Sequence, residues 1–358
     1  MVDKYGRFLT LTGYRLTRTH GAVVRSSVSH MNGAPGRFTF GGNLPDAQVL
    51  SEATSSLELA CQEIATHLGI SPQELYFVGD GPLAHTLALA GLPPQPRMVS
   101  AVERAELLAQ ASETLPVSPS GHLLESAIKA NTYSLGWVNG EIGSIQEIDS
   151  WAARVHQSGG LLHSDLSYGL GVLPVPTGWD LASIDARAFG GPTLGILALK
   201  SRTRWSDPLP TLSPRYGQLH VEERLVVEAA AALGAYESLA KQNFERISTF
   251  NRDLRAKCAE VAHIDVAGDQ AGIPHIITFS VLYAQGEELV RAFAKEGFVV
   301  ASGSACMSTN LEPSHVLVAT GRLTHGNVRL VVPYDEPADS LARFLEVLPR
   351  VVEGVRQA

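Results

Sequence analysis

Hydrophobic positions along this chain switch repeatedly between two spacings. Ser51 to Leu68 repeats apolar residues at helical intervals and stops at the Gly69-Ile-Ser-Pro turn. Leu75-Tyr-Phe-Val is a strand-like run, and Gly79-Asp-Gly-Pro opens a helix over about Leu83 to Ala90. The alternation continues with a strand at Met98 to Val102, a helix at Arg104 to Ala111, a strand at Ser134 to Asn139 and a helix at Glu147 to Ser158. Gly160 to Asp165 reads as a strand that ends on a carboxylate. Ala182 to Ala188 and Ile196 to Leu199 read as a strand pair around Phe189-Gly-Gly-Pro. Glu222 to about Ala262 is helical and long enough to bridge two lobes. A second α/β stretch follows: the strand Ile276 to Val281, a helix over Gly286 to Glu296 and a strand at Phe298 to Ala301. It closes with a helix over Ser314 to Thr320, a strand at Asn327 to Val332 and a helix from about Pro337.

Short strands alternating with helices predict an α/β fold with a mainly parallel sheet, followed by a smaller α+β unit. The expected partition is a large α/β domain over 36–245 and a small C-terminal α+β domain over 246–358, joined by 1–35.

At 358 residues the chain can bury a large core. Its net charge of −8 gives no basic field for nucleic acid. It contains no apolar run long enough for a membrane span and no apolar leader at its start. Cys61, Cys258 and Cys306 are too dispersed for a zinc pattern, which excludes a Cys-built metal site and fits a reducing, cytoplasmic setting.

Three motifs carry chemistry. Ala301-Ser-Gly-Ser-Ala-Cys306 is followed by Leu311-Glu-Pro-Ser-His-Val-Leu317. Asn139-Gly-Glu-Ile-Gly-Ser-Ile-Gln146 and Leu161-Leu-His-Ser-Asp165 precede it. Taken singly, each residue has a bland reading: a lone cysteine as a small buried hydrophobe, an aspartate at a strand end as a turn residue, an asparagine beside glycine likewise. Their order along the chain is what resembles the cysteine desulfurase family, class V aminotransferases of the pyridoxal phosphate (PLP) transferase type I fold. The resemblance implies the two-lobed fold and a homodimer with its cofactor site shared across two subunits. It also implies residue roles: Asp165 pairs with the pyridinium nitrogen, Asn139 bonds the ring hydroxyl, Arg329 grips the substrate carboxylate, and Cys306 receives sulfur as a persulfide.

The chain departs from the family pattern around the cofactor. Where the family carries S-x-H-K, this sequence reads Asp185-Ala-Arg187-Ala188, so Ala188 stands in the place of the Schiff-base lysine. The phosphate loop reads Gly79-Asp-Gly-Pro-Leu-Ala-His85, and Pro82 lacks an N–H. Arg104 stands where a stacking histidine is expected, and Tyr168 where a glutamine is expected. The family's R-x-G-T falls loosely at Val221-Glu-Glu-Arg224. Arg104, Tyr168, Arg187 and His85 thus define a remodelled cleft. Its arginines either pair with Asp80, Asp165 and Asp185 or bind another anion.

Two readings follow. In the first, the chain has lost PLP binding and desulfurase activity, takes no cofactor, and serves as a binding, scaffold or sulfur-relay partner of a sulfur-transfer protein. In the second, it is an active PLP-dependent desulfurase, lyase or aminotransferase-like enzyme with a remodelled cofactor site.

Overall fold

The computed structural model describes residues 47–209, 221–302 and 313–357. A seven-stranded sheet holds the first part of the chain in the order β1-β7-β6-β5-β4-β2-β3. Its strands are β1 (Leu75–Val78), β2 (Arg97–Ser100), β3 (Glu113–Leu115), β4 (Thr132–Ser134), β5 (Leu161–Asp165), β6 (Leu181–Asp185) and β7 (Gly195–Leu199). Only β7 runs against the rest, pairing antiparallel with both β6 and β1. β6 and β7 are buried at every position, which is why they read as continuous apolar runs rather than alternating ones.

Two helices flank the start of the sheet. α1 (Ala47–Leu68) contributes Ile64, Ala65 and Leu68 to the first core, and α2 (Gly81–Ala90) follows β1 directly. Asp80 caps α2 by accepting from Leu83 N–H at 2.8 Å, and Pro82 sits in its first turn, where a missing N–H costs nothing. α3 (Ala105–Leu108) is shorter than its periodicity predicts. Its last turn tightens, with Gln110 N–H bonded to Leu107 O rather than one residue further back. α4 (Ile148–Gln157) packs Trp151 and Val155 into the same core as α1, while α2 packs Ala84, Leu87 and Ala88 into a separate one.

α5 (Glu223–Glu260) spans 38 residues. Val226, Ala229 and Leu233 join the core under the large sheet. Ile247, Phe250 and Leu254 join a second core, with Phe279, Phe293 and Phe344. That second core lies on a three-stranded antiparallel sheet of order β10-β9-β8, made by β8 (Ile264–Val266), β9 (Ile276–Val281) and β10 (Asn327–Val331). α6 (Gly286–Lys295) and α8 (Ala338–Arg356) complete it, while α7 (His315–Ala319) packs Val316 and Leu317 against Val102, Val117 and Ile142.

Two expected strands are shorter than their patterns. β4 ends at Ser134, although Leu135 and Trp137 N–H still bond His163 O and Asp165 O; the chain then turns, so Asn139 stands in a loop. The Phe298 to Ala301 segment makes a single bridge, in which Ala301 and Arg329 exchange both backbone hydrogen bonds.

Candidate functional site

The parallel strands all end at one edge, and this edge gathers the titratable side chains. Open α/β sheets bind ligands in the crevice outside their carboxyl ends. β1 delivers Asp80, β2 delivers Glu103 and Arg104, β5 ends on Asp165, and β6 ends on Asp185.

Asp165 is buried, and both its oxygens are engaged. Oδ2 accepts from Arg104 Nε at 2.6 Å. Oδ1 accepts from Ser167 N–H at 2.9 Å and from the Ser167 hydroxyl. Burial alone would raise this carboxyl, but Arg104, His85 and the Ser167 hydroxyl outweigh it and hold Asp165 well below the usual carboxylate range. The same partnership keeps Arg104 charged against the cost of its burial. The Arg104 guanidinium also lies 5.2 Å over the Tyr168 ring, and Tyr168 packs on Gly140, where a β-carbon would come within 2.5 Å of Cζ.

Beneath Asp165 runs a chain of buried polar groups. His85 Nδ1 lies 2.7 Å from Ser183 Oγ, which lies 2.7 Å from His163 Nε2; His163 Nδ1 lies 2.9 Å from Ser134 Oγ. Burial lowers both rings, His163 to about 3. His85 Nε2 points toward Asp165 Oδ2 at 4.0 Å and has no hydrogen-bond partner; Arg104 Nη2 is also buried without one. Glu103 lies against Gly136 N–H, and burial beside Asp165 pushes it up to about 8.

The far end of the cleft is closed by carboxylates. Asp185 accepts from its neighbour Arg187 through Nε at 3.0 Å and Nη2 at 2.8 Å. Asp185 also lies on Gly81, the first residue of α2, where a β-carbon would stand 2.7 Å from Oδ2. Ala188 lies one turn later, in the 3-10 segment Ala186–Phe189. Among the described residues no lysine reaches this edge. Lys200 and Lys129 sit at the opposite edge of the sheet, Lys200 bonded to Thr177 O at 2.5 Å and Lys129 exposed. Lys241 and Lys295 are exposed, and Lys257 pairs with Glu260.

The structure thus brings His85, Arg104, Asp165, Tyr168, Asp185 and Arg187 together, and pairs the arginines with carboxylates. It places other expected residues differently. Asn139 is committed to its own turn: Nδ2 donates to Val102 O at 2.8 Å, and Oδ1 accepts from Glu141 and Ile142 N–H. Arg329 lies on β10 with Nε buried and unpartnered. Arg224 pairs with Glu228 and Glu222 on and beside its own helix. Cys306 lies outside the described residues. The Ser134, His163 and Ser183 chain escaped the sequence reading, although the period-two spacing of His163 with Asp165 and of Ser183 with Asp185 set each pair on one sheet face.

No protein-family model matches the chain. Individual relatives do. The cysteine desulfurase IscS of Dictyoglomus turgidum is 28% identical over 341 residues, covering 85% of this chain and 86% of its own length. A cysteine desulfurase of Cereibacter sphaeroides is 27% identical, covering 90% and 89%. A solved NifS-like protein superposes with a TM-score of 0.80 over 97% of this chain and 99% of its own, at 17% identity. The chain's homologues over most of its length are cysteine desulfurases. Its fold is the PLP-transferase fold, a mainly parallel sheet with a small antiparallel-sheet unit.

The relatives correct one expectation. That the chain takes no cofactor does not stand, because the enzymes matching most of its length are cysteine desulfurases, which depend on PLP. Loss of a covalent anchor would not by itself remove a binding site. The cleft fits the cofactor at one end. Asp165 is a buried ionised carboxylate, a group whose charge suits a pyridinium nitrogen, and two buried nitrogens near it, His85 Nε2 and Arg104 Nη2, lack partners. Among the described residues no helix is long and apolar enough to cross a membrane.

Proposed function

We propose that this chain is a sulfur-transfer enzyme of the cysteine desulfurase type, with a remodelled cleft that takes PLP through non-covalent contacts alone. The observation that carries this reading is the retained, ionised Asp165 at the end of β5, buried and braced from both sides. PLP, when bound, supplies an electron sink. Asp165 would face its ring nitrogen, while Arg104 balances the carboxylate and Tyr168 backs the guanidinium. Arg329, whose Nε has no partner among the described residues, would meet a substrate carboxylate. Asn139 would act by shaping the loop rather than by bonding the cofactor. Cys306 would receive the sulfur.

The two-lobed partition near residue 245 belongs to this reading. It is supported by the way α5 changes cores between Leu233 and Ala240. A homodimer and a sulfur-accepting protein partner also belong to it, on the strength of the relatives.

The test is direct. Purified protein titrated with PLP should quench tryptophan fluorescence saturably, yet yield no borohydride-reducible linkage to the chain. With PLP and cysteine it should release alanine and load sulfur on Cys306. Absence of saturable binding at millimolar PLP would overturn the proposal.

A further inference from the structure

The buried chain beneath Asp165 has a direction, and the carboxylate sets it. An ionised carboxylate accepts hydrogen bonds and cannot donate. The ring atom of His85 that faces Asp165 Oδ2, at 4.0 Å, is Nε2. A bare lone pair there would face a negative charge in a buried site, so Nε2 carries the proton. Every other proton position then follows. His85 Nδ1 must accept, so the Ser183 hydroxyl donates to it across 2.7 Å. Ser183 Oγ accepts in turn from His163 Nε2–H at 2.7 Å, and His163 Nδ1 accepts from the Ser134 hydroxyl at 2.9 Å. All three links are satisfied in this direction, and all four residues are buried.

The four residues come from four neighbouring elements: β4, β5, β6 and α2. β4 and β5 set Ser134 opposite His163, and β5 and β6 set Asp165 opposite Ser183. The relay is therefore fixed by sheet register. At its end, His85 Nε2–H is left as a fully buried donor with no acceptor in hydrogen-bond range, near Arg104 Nη2, which is also unpartnered. Buried donors are rarely left unpaired, and those that are mark strain or a missing partner.

We propose that Ser134, His163 and Ser183 form a one-way relay that fixes the Nε2–H tautomer of His85, making His85 Nε2–H the donor offered to a ligand's acceptor atom in the cleft. The tautomer stands on the geometry alone. The ligand arm rests on the functional reading above.

The test uses the full-length protein with ring-15N-labelled histidine. Two-bond 1H–15N correlation spectra report which nitrogen of each ring is protonated. His85→Asn and His163→Asn assign the two rings among the 12 histidines. Both rings should be neutral Nε2–H tautomers. Ser183→Ala should convert His85 to a mixture of tautomers, and Ser183→Thr should restore the single form. In the ligand arm, Ser183→Ala should weaken PLP at least fivefold, with Ser183→Thr returning it to within twofold of the starting protein. His85 found as the Nδ1–H tautomer overturns the proposal. So does an unchanged His85 pattern in Ser183→Ala. If Ser183→Ala fails to fold, the wild-type tautomers decide alone. If the unaltered protein binds no PLP, the function above fails while the tautomer measurement still decides the relay.

Discussion

Asp185 lies on Gly81 at the first turn of α2, so close that a β-carbon on Gly81 would stand 2.7 Å from its Oδ2. A helix N-terminus presents unpaired N–H groups and partial positive charge, which suits an anion. Here the chain supplies two carboxylates of its own, Asp80 as the cap and Asp185 against the first residue. A phosphate approaching this end meets negative charge. Asp185→Ser removes one carboxylate and leaves a small hydroxyl. It should tighten PLP about tenfold, equivalent to about 1.4 kcal/mol. Fluorescence titration of the two proteins side by side measures this; equal or weaker binding by the variant would show that Asp185 is not what limits the site.

Arg104 and Asp165 form a buried pair whose two halves should behave asymmetrically. Removing one partner strands a charge, at a cost of about 3–5 kcal/mol, whereas replacing both with apolar residues is often close to neutral. Arg104→Leu should therefore lower the urea midpoint sharply, and Arg104→Leu with Asp165→Leu should recover most of the loss. The pair also sets an acid limit. Because the folded Asp165 titrates below its unfolded value, its contribution is complete above about pH 4 and is lost only on further acidification. A double variant no more stable than Arg104→Leu would mean that the pair is not the coupled unit its 2.6 Å contact indicates.

Much of this was legible in the chain because the signals were local. Helical spacing located α1 and α5, and unbroken apolar runs located β7 and β9. The ion pairs of Arg104 and Arg187 followed from charge, since buried carboxylates need partners. What stayed hidden was non-local. The Ser134–His163–Ser183–His85 chain joins residues 20 to 98 positions apart, and only strand register brings them into line. Asn139 misled for the opposite reason. Its motif suits a ligand contact, but an asparagine before glycine can spend its side chain on its own turn, as it does here. β3 was missed because three residues with two exposed carry no apolar pattern. The expectation of no cofactor, drawn from Ala188 together with Pro82 and Asp185, does not stand against relatives that are PLP-dependent cysteine desulfurases.

Glu103 should give the protein a stability that falls as pH rises. Burial beside Asp165 pushes its carboxyl up to about 8, so between its unfolded value and pH 8 the folded chain holds a proton that the unfolded chain has released. The unfolded state then binds fewer protons, and the slope is negative, about 1.4 kcal/mol per pH unit at most. The buried His85, His163 and His275 act with the opposite sign below about pH 6.5, where only the unfolded chain protonates them. The window from pH 6.5 to 8 therefore isolates Glu103. Urea midpoints across it should fall for the unaltered protein and stay level for Glu103→Gln, which keeps an acceptor for Gly136 N–H. A matching fall in both would assign the slope to another group.

The three thiols should divide cleanly into two silent and one reactive. Thiolate is the reacting form, so reactivity follows the deprotonated fraction and access together. Cys61 and Cys258 are buried, and burial pushes each up to about 12, with Glu223 and Glu58 adding to the effect at Cys61. At pH 8 only about one in ten thousand of either is ionised, and neither meets solvent without opening of the fold. Cys306 follows Ser302-Gly-Ser-Ala and precedes Met307-Ser-Thr-Asn in the sequence. Iodoacetamide at pH 8 should label one thiol per chain quickly, and peptide mapping should place it at Cys306. Cys306→Ser should abolish the fast phase. If the protein is an active desulfurase, cysteine and PLP added first should load this thiol with sulfur, visible as an added 32 Da (about one sulfur atom) on the Cys306 peptide; the outer sulfur then takes the alkyl group, and reduction removes both. Fast labelling at Cys61 or Cys258 would contradict their burial. A fast-labelling Cys306 that never gains sulfur would keep the thiol reactive but remove it from sulfur transfer.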